Sequence, residues 1–149
     1  EIVESYDQDK IDVEVQGENG KMFKLADLEG KVVYLDIWAS WCGPCRKQFP
    51  AAKELKSKLT KKEMKNIEFL YISIDNTETV WKLAIKELGI EGTHGLSKGG
   101  WGSEVTAKFG VSSIPRYLII DKKGRVVDAN APRPSDPRLL DMLRGLSQQ

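Results

Sequence analysis

The sequence predicts one α/β domain over residues 1–149, a mixed β-sheet flanked by helices. Three observations carry that prediction. Two nearly continuous apolar runs, VVYLDIW at 32–38 and IEFLYISID at 67–75, suit central strands covered on both faces. Segments with helical spacing of apolar residues lie between and after them. No internal repeat or linker-like stretch divides the chain, and its length is enough to bury a core without disulfide or metal staples.

The elements follow in order. Ile11, Val13 and Val15 alternate before Gly17-Glu-Asn-Gly20, and Met22, Phe23 and Leu25 follow, so a β-hairpin opens the domain. Ala26-Asp-Leu-Glu-Gly30 reads as one helical turn closed by glycine. After the 32–38 strand, Phe49, Ala52, Leu55 and Leu59 mark a helix over 43–59, with a kink expected at Pro50. The Lys-rich run 56–65 reads as a solvated helix face and its trailing loop. After the 67–75 strand, Thr77 caps a helix carrying Val80, Trp81, Leu83, Ala84 and Leu88, and Gly89 ends it. Residues 89–102 hold six of the 13 glycines and read as a mobile loop, with His94 a polar surface residue in it. Ser103 caps a short helix ending at Gly110, and 117–121 and 125–129 form a strand-turn-strand unit around Lys-Lys-Gly. Asp136 as N-cap and Pro137 at the first position open the last helix.

Composition excludes several function classes. Lys plus Arg number 23 against 22 Asp plus Glu, a net charge of +1 that leaves no electrostatic footprint for nucleic acid or an anionic membrane surface. No apolar run approaches the roughly 20 residues that span a bilayer. The chain opens at Glu1 without an apolar stretch, so residues 1–9 read as a flexible lead-in or the remnant of a longer precursor. The glycines around Lys98 do not make a phosphate loop, since no Gly-Lys-Ser/Thr stands at the needed offset.

The chemistry concentrates in Trp41-Cys42-Gly43-Pro44-Cys45, which holds both cysteines. A C-x-x-C directly after a buried strand and at the mouth of a helix points backbone N–H groups and the helix dipole at the first sulfur, favouring its thiolate. The thiolate is the nucleophile of disulfide exchange, and Cys45, one turn further in, is placed to attack a mixed disulfide on Cys42. A zinc knuckle lacks its other ligands, with His94 the only further soft donor. Haem attachment needs a His where Arg46 stands. A structural disulfide closing so small a loop contributes little. Neither a metal nor another cofactor is expected beyond a redox-active Cys42–Cys45 disulfide. Asp36 is the other chemical signal: a carboxylate inside an apolar strand is costly unless bonded or protonated, and desolvation raises its pKa.

WCGPC, the strand VVYLDIW before it, and Ile114-Pro115 ahead of YLIID resemble the thioredoxin superfamily. The N-terminal hairpin before DLEGK, the 40-residue interval from Asp75 to Pro115, and FGVSSIPRYLIIDKKGRVV narrow the resemblance to the TlpA/ResA-like thiol–disulfide oxidoreductases, exported proteins of the bacterial envelope. The likeness runs over nearly the whole chain from about Lys10. It implies a thioredoxin-like sheet with an added N-terminal hairpin and a helical insert before a cis-proline strand. It implies that Pro115 is cis beside the cysteines and that Ile114 docks an extended substrate through its backbone. Trp41, Gly43 and Pro44 complete the substrate-binding rim, and Pro50 matches the kink proline of the family helix. Asp36 matches the buried acid that passes a proton to or from the second cysteine. The lysine that partners this acid in thioredoxins falls near Tyr71 here, leaving Tyr71 as a hydrogen-bonding substitute. Arg116 stands where relatives often carry Thr, either pointing into solvent or favouring acidic partners.

The function implied is reduction of disulfides in exported proteins by a monomer in the periplasm or cell envelope. It would be supplied by an upstream thiol–disulfide donor, and any membrane tether would lie in a segment outside this sequence. A thiol peroxidase wants Thr three residues and Pro seven residues before its cysteine, where this chain has Ala39 and Leu35. A redox-inert, chaperone-like binding domain of a larger envelope protein is the non-enzymatic alternative.

Overall fold

Every residue of VVYLDIW is buried, and the sheet is built outward from that strand. A computed structural model describes residues 10–149; the expected lead-in at 1–9 lies outside the described residues. The strands are β1 (Glu14–Gly17), β2 (Met22–Lys24), β3 (Val32–Trp38), β4 (Ile67–Ser73), β5 (Thr93–Leu96), β6 (Arg116–Ile120) and β7 (Val126–Asp128). They form one seven-stranded sheet in the order β2-β1-β5-β4-β3-β6-β7. β3, β4 and β5 are mutually parallel, and β1, β2, β6 and β7 join by antiparallel pairing. The helices are α1 (Gly43–Lys47), α2 (Phe49–Ser57), α3 (Lys61–Asn66), α4 (Glu78–Leu88), α5 (Glu104–Phe109) and α6 (Leu139–Ser147), with 3-10 turns at Leu25–Leu28 and Gly100–Gly102.

The α/β architecture, the opening hairpin and the insert carrying α4 agree with the sequence expectation. The helix expected over 43–59 is divided at Gln48, two residues before Pro50, into α1 and α2. Thr77 and Ser103 cap α4 and α5, each hydroxyl accepting an N–H three residues on. Gly89 and Gly110 close the same helices in left-handed conformation.

Four expectations are corrected. Residues 89–102 are not a mobile loop: β5 lies within them, parallel to β4 and paired with β1. Gly95 permits close approach instead, because a Cβ there would lie 2.5 Å from Val15 Cγ2. His94 is buried, not on the surface, and stacks on Tyr71 with ring centroids 5.2 Å apart. Part of the lysine run forms α3, opened by a capping box between Thr60 and Glu63 that the lysine content obscured. The last helix begins at Leu139, not at Pro137. Asp136 spends its Oδ1 on the Arg138 N–H, a local turn that delays helix entry.

Candidate active site around the cysteine pair

The site gathers at the carboxyl ends of β3 and β4. Cys42 is the N-cap of α1; its Sγ accepts the Cys45 N–H at 3.2 Å, and Pro44 occupies the first turn, where its missing N–H has no cost. The two sulfurs form a disulfide, and both residues are buried, Cys42 at 5% exposure and Cys45 at 1%. Gly43 and Pro44 are exposed, and Gly43 has nothing within 4 Å of where a Cβ would project. Trp41 is 56% exposed beside them.

The Ile114–Pro115 bond is cis. Arg116 of β6 pairs with Ile37 of β3 in antiparallel register, which sets Pro115 against the end of β3 that runs into the cysteine loop. Arg116 itself is partly buried. Its Nε and Nη1 donate to the carbonyls of Ala129 and Gly110, tying the β6 entry to the residue after β7 and to the end of α5.

Asp36 is 2% exposed, and its Oδ1 has no hydrogen-bond partner among the described residues. In register it lies between Tyr71 on β4 and Tyr117 on β6, so all three project from one face of the sheet. Burial pushes its pKa up to about 8, and the charge of Lys56 opposes the rise.

That lysine is the residue sequence reasoning missed. Lys56 Nζ donates to the Tyr71 hydroxyl at 2.7 Å and to the Glu91 carbonyl, and lies over the rings of Phe69 and Tyr71, 4.9 and 4.8 Å from their centroids. Burial lowers its pKa to about 8, while Glu91 and Asp36 act to raise it. The expected hydrogen-bonding role of Tyr71 is therefore real, but its partner is Lys56, not Asp36. The signal was present: Lys56 falls four residues after Ala52, and Ala52 three after Phe49, so it shares the buried stripe of α2. It also lines an open groove of about 960 Å³ between α2 and the α4–β5 connection.

A second buried carboxylate holds the loop itself. Asp75, 1% exposed, accepts the Ser40 N–H at 3.0 Å, the Ser40 hydroxyl at 2.7 Å and the Ser73 hydroxyl at 2.6 Å. Its own N–H returns to Ser73 Oγ at 2.9 Å. The chain two residues before Cys42 is thus tied to the end of β4. Arg46 adds a bond from Nη1 to the Ser40 carbonyl. The Ser-x-Asp at 73–75 could have drawn attention to this; in the sequence it reads only as the end of a strand.

Among the described residues no group of three or more His, Cys, Asp and Glu could hold a metal ion. No helix among them is long and apolar enough to cross a membrane.

Known proteins resemble this chain in sequence and fold. The family model described as thioredoxin-like matches residues 30–126. The thiol-disulfide oxidoreductase ResA of Bacillus thuringiensis strain Al Hakam is 33% identical over 109 residues, 73% of this chain and 60% of that protein. The ResA of Bacillus cereus strain ATCC 10987 is 30% identical over 128 residues, 86% of this chain and 70% of its own. The aligned part therefore spans less than two thirds of the first of these relatives and leaves 30% of the second unmatched. A crystal structure from Bacteroides vulgatus, provisionally classed as a thiol-disulfide oxidoreductase, superposes with a TM-score of 0.80 at 34% identity, covering 92% of this chain and 93% of that one. The likeness runs along most of the chain, and this chain belongs to the thioredoxin-like family, among its ResA-like thiol–disulfide oxidoreductases.

Proposed function

We propose that the protein reduces disulfides of exported proteins by dithiol exchange. The observation that carries this reading is the Cys42–Cys45 disulfide at the N-terminus of α1, with cis-Pro115 set against the neighbouring strand end. An upstream dithiol donor reduces the pair, supplying two electrons and two protons. The Cys42 thiolate then attacks one sulfur of a substrate disulfide, forming a mixed disulfide and releasing the other sulfur as a thiolate. Cys45 loses its proton to Asp36 and attacks Cys42 Sγ, which re-forms the intramolecular disulfide and expels the second substrate sulfur. Protons pass on to the released thiolates, so two electrons move and no external oxidant is needed.

Asp36 suits this role because a buried acid held near pH 8 exchanges a proton with a thiol at little cost. Lys56, close enough to act on Asp36 electrostatically and lining an open groove, offers that proton a way out. Trp41, Gly43, Pro44, Ile114 and Pro115 form the docking rim, the Ile114 backbone pairing with an extended substrate strand. ResA- and DsbE-like proteins are extracytoplasmic as a class, which supports a place in the periplasm or cell envelope.

Insulin reduction with dithiothreitol as donor tests the reading. Wild type accelerates it, Cys42→Ala abolishes the acceleration, and Cys45→Ser accumulates mixed disulfides on Cys42. Equal acceleration by wild type and Cys42→Ala would sink it. Lys56→Met gives a finer check. Without the cation the Asp36 pKa rises further, so the midpoint of the rate–pH profile moves up and the rate at pH 7 falls about threefold or more. A profile that does not move removes Lys56 from the proton circuit.

A further inference from the structure

Trp101 is an exposed indole that none of the chemistry above uses. It is 51% exposed, and its ring meets that of Trp41 edge to face with centroids 6.1 Å apart. Two large apolar side chains left in water as a contiguous pair are unusual for a surface that contacts nothing. The turn that carries Trp101 is firmly built. Gly100 N–H donates to the Ile74 carbonyl at 3.0 Å, Gly102 N–H to the Gly99 carbonyl at 3.0 Å, and the Thr106 hydroxyl to the Trp101 carbonyl at 3.0 Å. Gly99 and Gly100 take positive φ angles of 118° and 58°, which a side chain would strain. Ile74 and Asp75 are adjacent, so the end of β4 anchors both tryptophans: Trp101 through the Ile74 carbonyl, and Trp41 through Asp75 and Ser40.

We infer that Trp41 and Trp101 form a docking platform beside Cys42 that selects substrate disulfides flanked by apolar residues. The inference rests on the reductase reading and deepens it, naming the chemistry of the partner segment. The platform continues the docking rim, since Trp41 is the residue before the attacking cysteine. Two rigid, largely exposed indoles supply contact area at little conformational cost, and a partner residue that covers them leaves water with them. The charged residues nearest to Trp101 in the chain carry both signs, Lys98 three residues before it and Glu104 three after, so neither sign of charge selects the partner. The exposed indole faces themselves then set the choice, and leucine-like or aromatic residues are the occupants that fit them.

The test compares two peptide disulfides, one with leucines flanking its cysteines and one with glycines and serines. Wild type prefers the leucine peptide by about tenfold in kcat/KM, the loss expected for one aromatic anchor. Trp101→Ala erases that preference by raising KM for the leucine peptide alone, and Trp101→Phe keeps most of it. The rate on a small unadorned disulfide, hydroxyethyl disulfide, is unchanged in both variants. Preference retained in Trp101→Ala overturns the inference, and so does an equal fall on hydroxyethyl disulfide, which would place Trp101 in the reactivity of Cys42 rather than in docking. If wild type reduces neither peptide nor hydroxyethyl disulfide, the reductase reading fails and takes the platform with it.

Discussion

Asn in place of Asp36 is expected to remove most of the fall in stability that the oxidised wild type shows between about pH 4 and pH 8. The ordinary carboxyl value is 3.8 and the buried one about 8, so in this window the unfolded chain is ionised while the folded chain still holds its proton. Stability then decreases as pH rises, by about 1.4 kcal/mol per unit, because the folded state binds the extra proton. Below pH 4 both states are protonated and the contribution is complete; above pH 8 both are ionised and it is gone. Asn has nearly the shape of the protonated acid and never ionises. The variant should therefore gain on wild type by up to about 4 kcal/mol between pH 4 and pH 7. Urea unfolding at a series of pH values measures it, and parallel curves for the two proteins would remove Asp36 as a buried, neutral acid. In the same variant the closing of the Cys42–Cys45 disulfide slows, since Cys45 loses its proton acceptor. A protein that is more stable and slower carries the mark of a residue kept for chemistry rather than for folding.

Asp36 stands out in the sequence because a charge inside VVYLDIW contradicts everything around it. The same holds for the cysteine pair: strand, C-x-x-C and helix in succession restrict the chemistry by local geometry alone. What stays hidden in the sequence depends on pairs of residues distant along the chain. Lys56 reads as solvated because its neighbours are lysines, yet the helix turns it inward toward Tyr71, 15 residues on. Nothing in either segment announces that encounter.

β5 shows a second limit. Thr93-His-Gly-Leu96 has too few β-branched residues to be read as a strand, and Gly95 looks like loop punctuation. It forms because β4 presents an unpaired edge and β1 closes the other side. Gly95 is there so that Val15 can approach, and His94 so that an aromatic plane covers Tyr71. Tertiary pairing overrides local propensity at such a strand, and one sequence does not reveal the pairing. The cis state of Pro115 belongs with these cases, since the residues alone mark only a proline before an apolar strand, and the family resemblance is what makes cis the expectation.

Asp75→Ala is expected to cost the oxidised protein about 3 kcal/mol. Three donors lose their acceptor together: the Ser40 N–H, the Ser40 hydroxyl and the buried Ser73 hydroxyl. None has a replacement partner among the described residues, and a buried donor left unpaired costs more than the bond it made was worth. Asp75→Asn should cost much less, about 1 kcal/mol, because the amide oxygen still accepts and a serine hydroxyl can rotate to accept from the new NH2 group. Asn keeps both the volume and an acceptor whereas Ala loses both, so Ala is expected to be the worse of the two. Equilibrium unfolding of both variants gives the two numbers, and an alanine variant within about 1 kcal/mol of wild type would show that the network holds nothing. Reductase rates carry the argument to function. Ser40 fixes the chain two residues before Cys42, so a released loop lets the attacking sulfur wander, and Asp75→Ala should lose rate on every disulfide offered. That uniform loss is the opposite of the selective one expected for Trp101, although both residues hang from the same end of β4. If the two variants lost rate in the same pattern, the strand end would be one support rather than two devices, one setting the reactivity of Cys42 and the other the choice of partner.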